Sequence, residues 1–389
     1  MSNKIRNLGS KNSFSHIQLH ILLLLFYLLN KGEKMKIKAD KQIIESILIN
    51  LQPFLEKKDA SQITSHIYFK ADGEKCTIKS TDSEIGLEIV TDNILIEHEG
   101  SFTANGKKLL DIIRILNEGD IILEMLDNTL LVKQNHSKFK LPTFDASTFP
   151  TFPDIDGKPQ IALDSLNLIK NLKKISPAID TNNPKFELNG ALINISENKI
   201  DLVGTDTRRL AIASFSGTIG EELSIILPKK AIIEIQKLFL DQITIYYDET
   251  TLIITNNNYF FFTHLINGKF PDYQRIVPST VKHQVTLPKK EMLDSIRMIT
   301  TISHDIKISF LSDSIRFNSL SSDNVEAKTE IEIDTGLSDK FEISLNSRYI
   351  LDFLSQVDSD TFVIGFNEPT LPFLVKDENF MTIIMPIVA

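Results

Sequence analysis

Three stretches, Asn105-Gly-Lys-Lys-Leu-Leu-Asp-Ile-Ile113, Pro228-Lys-Lys-Ala-Ile-Ile-Glu-Ile235 and Asn346-Ser-Arg-Tyr-Ile-Leu-Asp-Phe353, carry one pattern. In each, a turn-forming residue closes a short β-prone run and opens an amphipathic helix, with an acid at an equivalent place: Asp111, Glu234 and Asp352. Those acids are 123 and 118 residues apart (234 − 111 and 352 − 234), a domain-sized period. The segments after the three helices match too: Asp120-Ile-Ile-Leu-Glu-Met, Gln242-Ile-Thr-Ile-Tyr-Tyr and Thr361-Phe-Val-Ile-Gly-Phe, each leading to a turn and another β-rich run. A weaker echo lies inside each repeat, where Lys36-Ile-Lys, Gln160-Ile-Ala-Leu and Gln284-Val-Thr-Leu precede a second helix. Each domain therefore reads as two related halves, each one strand, one helix of roughly 10–14 residues and further strands, bounded by turn pairs such as Asp72-Gly73 and Asn267-Gly268. The expected class is α+β with extensive antiparallel sheet, in three similar domains of two helices each. Their boundaries are expected at 35–156, 157–279 and 280–389, where Pro153 and Gly157, then Pro278 to Lys282, punctuate the chain.

A length of 389 residues with 42% hydrophobic content suffices for three cores. The single cysteine, Cys76, rules out a disulfide framework and fits a reducing, cytoplasmic setting. A formal charge of −9 excludes a uniformly basic surface, so contact with nucleic acid must be confined to a local face. Residues 1–34 stand apart. Lys4, Arg6 and Lys11 precede the apolar run Ile17 to Leu29, as in a signal peptide, but the run is too short to span a bilayer and no small-x-small cleavage site comes after it. One permitted back-translation of Lys31-Gly-Glu-Lys-Met35 is AAA-GGA-GAA-AAA-ATG, which places a purine-rich ribosome-binding sequence ahead of a start codon. The segment is expected to be a non-native extension ahead of Met35, with an export signal or an interfacial helix as the alternatives.

The helix faces carry charge in order. From Lys107, the residues Leu109, Leu110, Ile112, Ile113 and Leu116 form an apolar stripe, and Lys107, Asp111 and Arg114 the opposite face. The offsets of zero, four and seven recur in Lys230, Glu234, Lys237 and in Lys290, Asp294, Arg297; Lys170, Lys173 and Lys174 sit on a further helix, and Arg348 starts the last one. A solvated face laced with ion pairs, each worth about 0.2–0.5 kcal/mol, accounts for such a pattern. Lys ahead of the acid is the poorer order for helix stability, and the other reading is a set of faces that meet phosphates without reading bases. Catalytic and cofactor motifs do not emerge. The sequence has no phosphate-cradling Gly-rich loop, HExxH pair or CxxC cluster, and Ser303-His304-Asp305 lacks a nucleophile setting, so neither cofactor nor metal is expected.

Leu202-Val-Gly-Thr-Asp-Thr-Arg-Arg-Leu-Ala211 closely resembles the Thr-Asp-Gly-His-Arg-Leu-Ala signature of the bacterial DNA polymerase III β clamp family. Asn267-Gly-Lys-Phe-Pro-Asp-Tyr-Gln-Arg-Ile-Val-Pro278 is similar to that family's Gly-x-Phe/Tyr-Pro-Asp-Tyr-x-Arg-hydrophobic-x-Pro segment, and Ile383-Ile-Met-Pro-Ile387 to its Val-Met-Pro ending. The resemblance covers Met35 to Ala389. It implies a ring-shaped head-to-tail homodimer, with helices facing the hole and sheets outside; three domains per chain suit a dimer, since clamps that close as trimers have two. It also implies a non-catalytic processivity factor on double-stranded DNA. Its partners would be the DNA polymerase III alpha subunit, the clamp loader delta subunit and other bearers of a Gln- and Leu-rich motif, with no membrane involved.

The same resemblance places a partner-peptide cleft on Leu188, Thr205, Thr207, Arg208, Arg209, Leu210, Pro271, Arg275, Ile276, Ile383, Met385, Pro386 and Ile387. Leu188, Leu210, Ile276, Ile383 and Met385 would form its apolar floor, and Arg209, Arg275 and Thr205 its rim donors. DNA-facing candidates are Lys58, Lys107, Lys108 and Arg114, joined by Lys170, Lys174, Lys230, Lys237, Lys290, Arg297 and Arg348, with the Thr181–Lys185 loop a weaker one. Thr207 and Arg208 stand where the family usually has Gly-His, which alters the turn and adds charge at the rim; Val388-Ala389 replace the Arg and Leu common at the end. Two readings compete: an exported β-rich repeat-domain binding protein, supported only by the first 30 residues, and an enzyme of unknown substrate.

Overall fold

The computed structural model describes residues 35–388 apart from residue 60, residues 162–163, residue 197, residues 218–221 and residues 321–324. The expected extension over residues 1–34 lies outside the described residues. Six helices are described, and each comes directly after a strand or within four residues of one: α1 (Lys41–Leu51), α2 (Gly106–Ile115), α3 (Ser165–Ile175), α4 (Lys229–Leu238), α5 (Lys289–Thr300) and α6 (Ser347–Leu354). The cause is local. Asp40, Asn105, Asp164 and Asn346 end their strand or loop in extended or near-extended backbone and accept N–H groups of the first turn, as in Asn105 Oδ1 from Lys108 at 3.0 Å. Pro228 and Pro288 precede α4 and α5 without a side-chain cap. A further bond ties halves together: the first N–H of α1 donates to Gly119, that of α5 to Asp360 and that of α6 to His304, at 2.8–3.0 Å. Each acceptor lies just before the strand after the sister helix, which is the physical form of the two-halves echo. The last helix, eight residues long, falls short of the expected length; Ser355 caps it with helical backbone, its N–H donating to Leu351 at 3.0 Å.

The chain divides into two compact units, one of residues up to Pro153 with Asn257–Phe261, the other Asp154–Asn256 with Phe262–Ala389. In the first, an antiparallel sheet runs in the order Leu95–His98, Lys36–Asp40, Asp120–Leu126, Thr129–Gln134, Ser137–Pro142; the strands Ile85–Thr91, Lys75–Thr81, His66–Asp72 and Gly100–Asn105 pair in that order. α1 and α2 pack together, burying Ile44, Ile47, Leu48 and Leu51 on one and Leu109, Leu110 and Ile113 on the other. At roughly 1.5–3 kcal/mol per buried aliphatic side chain, these i, i+3, i+4 stripes and not helix propensity hold the helices. Ile112, expected in the stripe, is half-buried, and Ile115 is exposed.

The second unit centres on an eight-stranded antiparallel sheet: Leu223–Pro228, Gly190–Ser196, Lys199–Thr205, Arg209–Phe215, Phe380–Ile384, Phe373–Asp377, Thr361–Phe366, His283–Pro288. Its middle joint pairs Arg209 with Ile384 and Leu210 with Ile383, so the Thr205–Ala211 signature and the chain's end become neighbours. α3 packs on the strand Arg209–Phe215. On the neighbouring strand Lys199–Thr205, Gly204 lets the end of α3 come close, because a Cβ there would stand 3.0 Å from the Ile175 carbonyl oxygen and 2.8 Å from Ile179 Cγ1. A four-stranded sheet, Lys328–Glu332, Ser314–Ser319, Asp305–Phe310, Phe341–Asn346, carries α5.

Two polar-face expectations are corrected here. Glu234 is buried and pairs with exposed Lys237 at 3.0 Å, as its neighbours Ala231 and Ile235 place it toward the packed side of α4. Lys174 is buried too: its ammonium lies 5.8 Å from the Phe380 ring and 3.3 Å from Asn379 Oδ1, so it is removed from the solvent-facing set. The remaining DNA-facing candidates, Lys58, Lys107, Lys108, Arg114, Lys170, Lys230, Lys237, Lys290, Arg297 and Arg348, are exposed. Several are paired, Arg114 with Glu45 at 3.7 Å, Lys170 with Asp358 at 2.8 Å and Lys290 with Asp294 at 3.6 Å.

Candidate interaction site

Strand alternation at the joint sorts the signature residues onto two faces. Leu210 and Ile212 face one way and enter an apolar cluster with Leu188, Leu192, Val203, Ile226, Phe270, Tyr273, Leu374 and Ile383, flanked by Ile266, Val277, Val281 and Met381. Three of the five expected floor residues, Leu188, Leu210 and Ile383, are brought together. Ile276 and Met385 are 45% and 40% exposed and do not join the buried cluster, with Ile387 and Pro271 also exposed and Pro386 half-buried. Met385 is held beside the signature turn by its N–H, which donates to the Arg208 carbonyl at 2.9 Å, and Ile387 N–H donates to Ser344 at 2.7 Å. Arg275 is exposed and paired with Asp272 at 2.8 Å.

Arg209 faces the opposite way, and its expected role as a rim donor is corrected. Its side chain is 3% exposed; Nε lies 3.1 Å from Asp206, Nη1 2.7 Å from Asp352 and Nη2 donates to the Pro177 carbonyl at 2.6 Å, with the guanidinium 4.8 Å from the centre of the Tyr349 ring. It ties the signature turn to α6 and to the loop after α3. Thr205 is likewise spent inside the turn: its hydroxyl donates to the Arg209 carbonyl at 2.7 Å and accepts Thr207 N–H at 3.2 Å. Thr207 itself has φ of 70°, the left-handed region, a strained choice for a β-branched residue where the family pattern has glycine.

Sequence reasoning missed Phe270 and Tyr273, although both lie in the quoted Asn267–Pro278 segment; a buried reading of its two aromatics would have found them. Tyr273 donates to Asp201 Oδ2 at 3.0 Å, and its hydroxyl is pushed up to about 12 by burial and then by the Asp201 charge. Leu374 and Met381 left no local signal. Beside the cluster a cleft of about 570 Å³ opens over Leu192, Ile226, Phe270 and Tyr273, with Asn194, Glu249, Lys269 and Gln274 around it; of the expected site residues only Pro271 lines it. A smaller cavity of about 290 Å³ is lined by Asp180, Asp206, Arg209, Lys229, Arg348 and Tyr349, among others. Burial and the cations Arg209 and Arg348 lower the Lys229 ammonium from its ordinary value. Among the described residues no cluster of His, Cys, Asp and Glu is placed to hold a metal ion, and no helix is long and apolar enough to cross a membrane.

Three copies of a paired strand–helix unit, with a buried apolar cluster where two copies share a sheet, define a repeat-domain α+β protein. Family models of the DNA polymerase III beta subunit match its N-terminal domain over residues 35–153, its central domain over 162–272 and its C-terminal domain over 274–388, and the chain belongs to that family. The beta sliding clamp of Helicobacter pylori strain J99 is 39% identical over 352 residues, 88% of this chain and 94% of the relative; that of Caulobacter vibrioides is 27% identical over 361 residues, 88% and 96%. Among solved structures, the Helicobacter pylori beta clamp bound to a DNA ligase peptide superposes with a TM-score of 0.85 at 40% identity, covering 91% of this chain and 100% of that one.

Proposed function

We propose that this chain acts as a DNA sliding clamp, a non-catalytic processivity factor that encircles duplex DNA as a head-to-tail homodimer. It tethers the DNA polymerase III alpha subunit, the clamp loader delta subunit and repair factors at the surface beside the apolar cluster that holds Leu188, Leu210 and Ile383. The observation that carries this is the match of all three beta-subunit domains in order along the chain, joined to a sheet that sets the Thr205–Ala211 signature beside Ile383 and Met385. Topological enclosure makes strong phosphate contacts unnecessary. Exposed cations such as Lys107, Lys108 and Arg114 would then meet phosphates weakly and salt-dependently, compatible with sliding, while a net charge of −9 discourages binding elsewhere. A partner's apolar anchor side chains would settle on the cluster, Met385 adapting to their shape. The site of action is cytoplasmic, consistent with a lone, buried Cys76 whose thiol is pushed up to about 12 by burial.

The test is calorimetric titration of a synthetic Gln- and Leu-rich clamp-motif peptide. Met385→Ala weakens it by about 1–2 kcal/mol while sedimentation still shows a dimer. Unchanged affinity removes Met385 from the cleft.

A further inference from the structure

The chain holds three Asn-Gly pairs, Asn105-Gly106, Asn189-Gly190 and Asn267-Gly268, alike in local chemistry and set in three different surroundings. Asn105 caps α2: its Oδ1 accepts Lys108 N–H at 3.0 Å and its Nδ2 donates to Ser65 Oγ at 3.4 Å. Gly106 beside it is buried, and a Cβ there would stand 2.4 Å from Leu55 Cδ1. Asn189 is held by both ends of its side chain, Oδ1 accepting Asn183 N–H at 2.8 Å and Nδ2 donating to the Asn183 carbonyl at 3.0 Å. Gly190 then opens the buried strand Gly190–Ser196. Asn267 and Gly268, by contrast, are exposed in the loop after the strand Tyr259–His264. Among the described residues, neither the Asn267 side-chain amide nor the Gly268 N–H enters a hydrogen bond. Gly268 has φ of 150°, and a Cβ there would meet Glu187 Cβ alone among the described residues, at 3.7 Å, so the backbone on that side stands in open space.

We propose that Asn267 is a site of spontaneous deamidation, which converts the folded chain into aspartyl and isoaspartyl forms at this Asn-Gly pair and spares the other two. The Gly268 amide nitrogen, its proton taken by hydroxide, attacks Asn267 Cγ. The N–Cγ bond forms, the Cγ–Nδ2 bond breaks and ammonia leaves with a proton from water, closing a succinimide. Water then adds to either ring carbonyl: opening at Cγ leaves aspartate, and opening at the main-chain carbonyl leaves isoaspartate, with the chain rerouted through Cγ. Water enters and ammonia departs, with no oxidant or reductant. At Asn105 and Asn189 the side-chain hydrogen bonds must break before Cγ can turn toward the next nitrogen. The loop is anchored on both sides of the reacting pair. Ile266 N–H donates to the Ile226 carbonyl at 2.9 Å just before it, and Phe270 and Tyr273 enter the apolar cluster just after it. Isoaspartate lengthens the main chain by a carbon between these anchors, whereas aspartate adds only a charge to the cleft that Glu249 and Asp272 also line.

The experiment incubates the full chain in mildly alkaline buffer below its thermal transition, with a parallel sample unfolded in guanidinium chloride. Samples taken over time are digested under mildly acidic conditions. Mass spectrometry reads the exchange of amide for carboxylate at each Asn-Gly pair, and enzymatic methylation reads the isoaspartyl carboxylates. In the folded chain Asn267 is expected to convert about tenfold faster or more than Asn105 and Asn189, the rate ratio that two retained hydrogen bonds impose. In guanidinium chloride the three rates converge, because the local pair is the same. Asn267→Gln, at an exposed position outside any hydrogen bond among the described residues, removes the fast phase of isoaspartate formation and leaves the slow ones. Conversion of Asn267 no faster than that of Asn189 in the folded chain overturns the inference. So does a rate order that persists unchanged in the unfolded chain, which would assign it to the flanking side chains and not to the fold, or a fast phase that survives in Asn267→Gln.

Discussion

Truncating Arg209 to alanine separates a partner-contacting arginine from a structural one. The side chain is 3% exposed and satisfies two carboxylates and a carbonyl. Removing one member of a buried, hydrogen-bonded charge network costs about 3–5 kcal/mol. Asp352 and Asp206 keep 29% and 21% side-chain exposure, so water compensates them in part and the lower end applies. Adding the orphaned Pro177 carbonyl brings the loss to about 3–4 kcal/mol, a large share of ordinary domain stability. With a urea slope of about 3 kcal/mol/M, the unfolding midpoint of the second unit should fall by about 1 M. Asp352→Asn should cost less, since Arg209 retains Asp206 and Pro177. Urea titration followed by tyrosine fluorescence and circular dichroism reports the midpoint; calorimetry below the transition reports peptide affinity. An unchanged midpoint together with weakened peptide binding would refute the structural role and restore Arg209 to the rim.

Other consequences concern the turn, the first unit and the cationic faces. Thr207→Gly relieves the left-handed strain and should raise stability by about 0.5–1 kcal/mol, after allowing for glycine's greater unfolded entropy; a lower thermal midpoint would contradict the strain assigned to a φ of 70°. His66 is buried, with Nδ1 3.2 Å from Thr103 and its ring 4.4 Å from Phe144, and burial with the nearby Lys108 charge lowers it to about 4. The folded state therefore binds fewer protons than the unfolded between pH 6.5 and about 4, so His66 stabilises fully above 6.5 and its contribution, about 2–3 kcal/mol, is lost as pH falls through that window. In His66→Gln the drop in unfolding free energy between about pH 7 and about pH 4.5 should shrink; an equal drop in both proteins would argue against it. Changing Lys107, Lys108 and Arg114 together to glutamine should shorten retention on DNA at low salt and matter less at high salt, and equal retention of variant and wild type at low salt would remove them from the DNA face.

Much of this architecture is legible along the chain because the repeats are written in local physics. Asn105, Pro228 and Asn346 each end a strand, and the apolar spacing behind them fixes which helix face is buried. Arg209 departs from expectation where a local rule suffices to explain it: on an extended strand it points away from Leu210, so both cannot face one cleft. Lys174 is different. Its burial comes from Asn379 and Phe380, about 205 residues on, and only the pairing of Arg209–Phe215 with Phe380–Ile384 brings them near. The same holds for Leu374 in the apolar cluster and Met381 packed against it.

The most direct test of the clamp account is retention on DNA of defined topology. The full chain is loaded by a clamp loader onto nicked circular plasmid, half the sample is linearised with a single-cutting endonuclease, and both are passed through a large-pore gel-filtration column. The account predicts that protein stays with the circle and runs off the linear form, whatever the plasmid sequence. Equal retention on circle and line would contradict enclosure and leave a protein that holds DNA by contact alone.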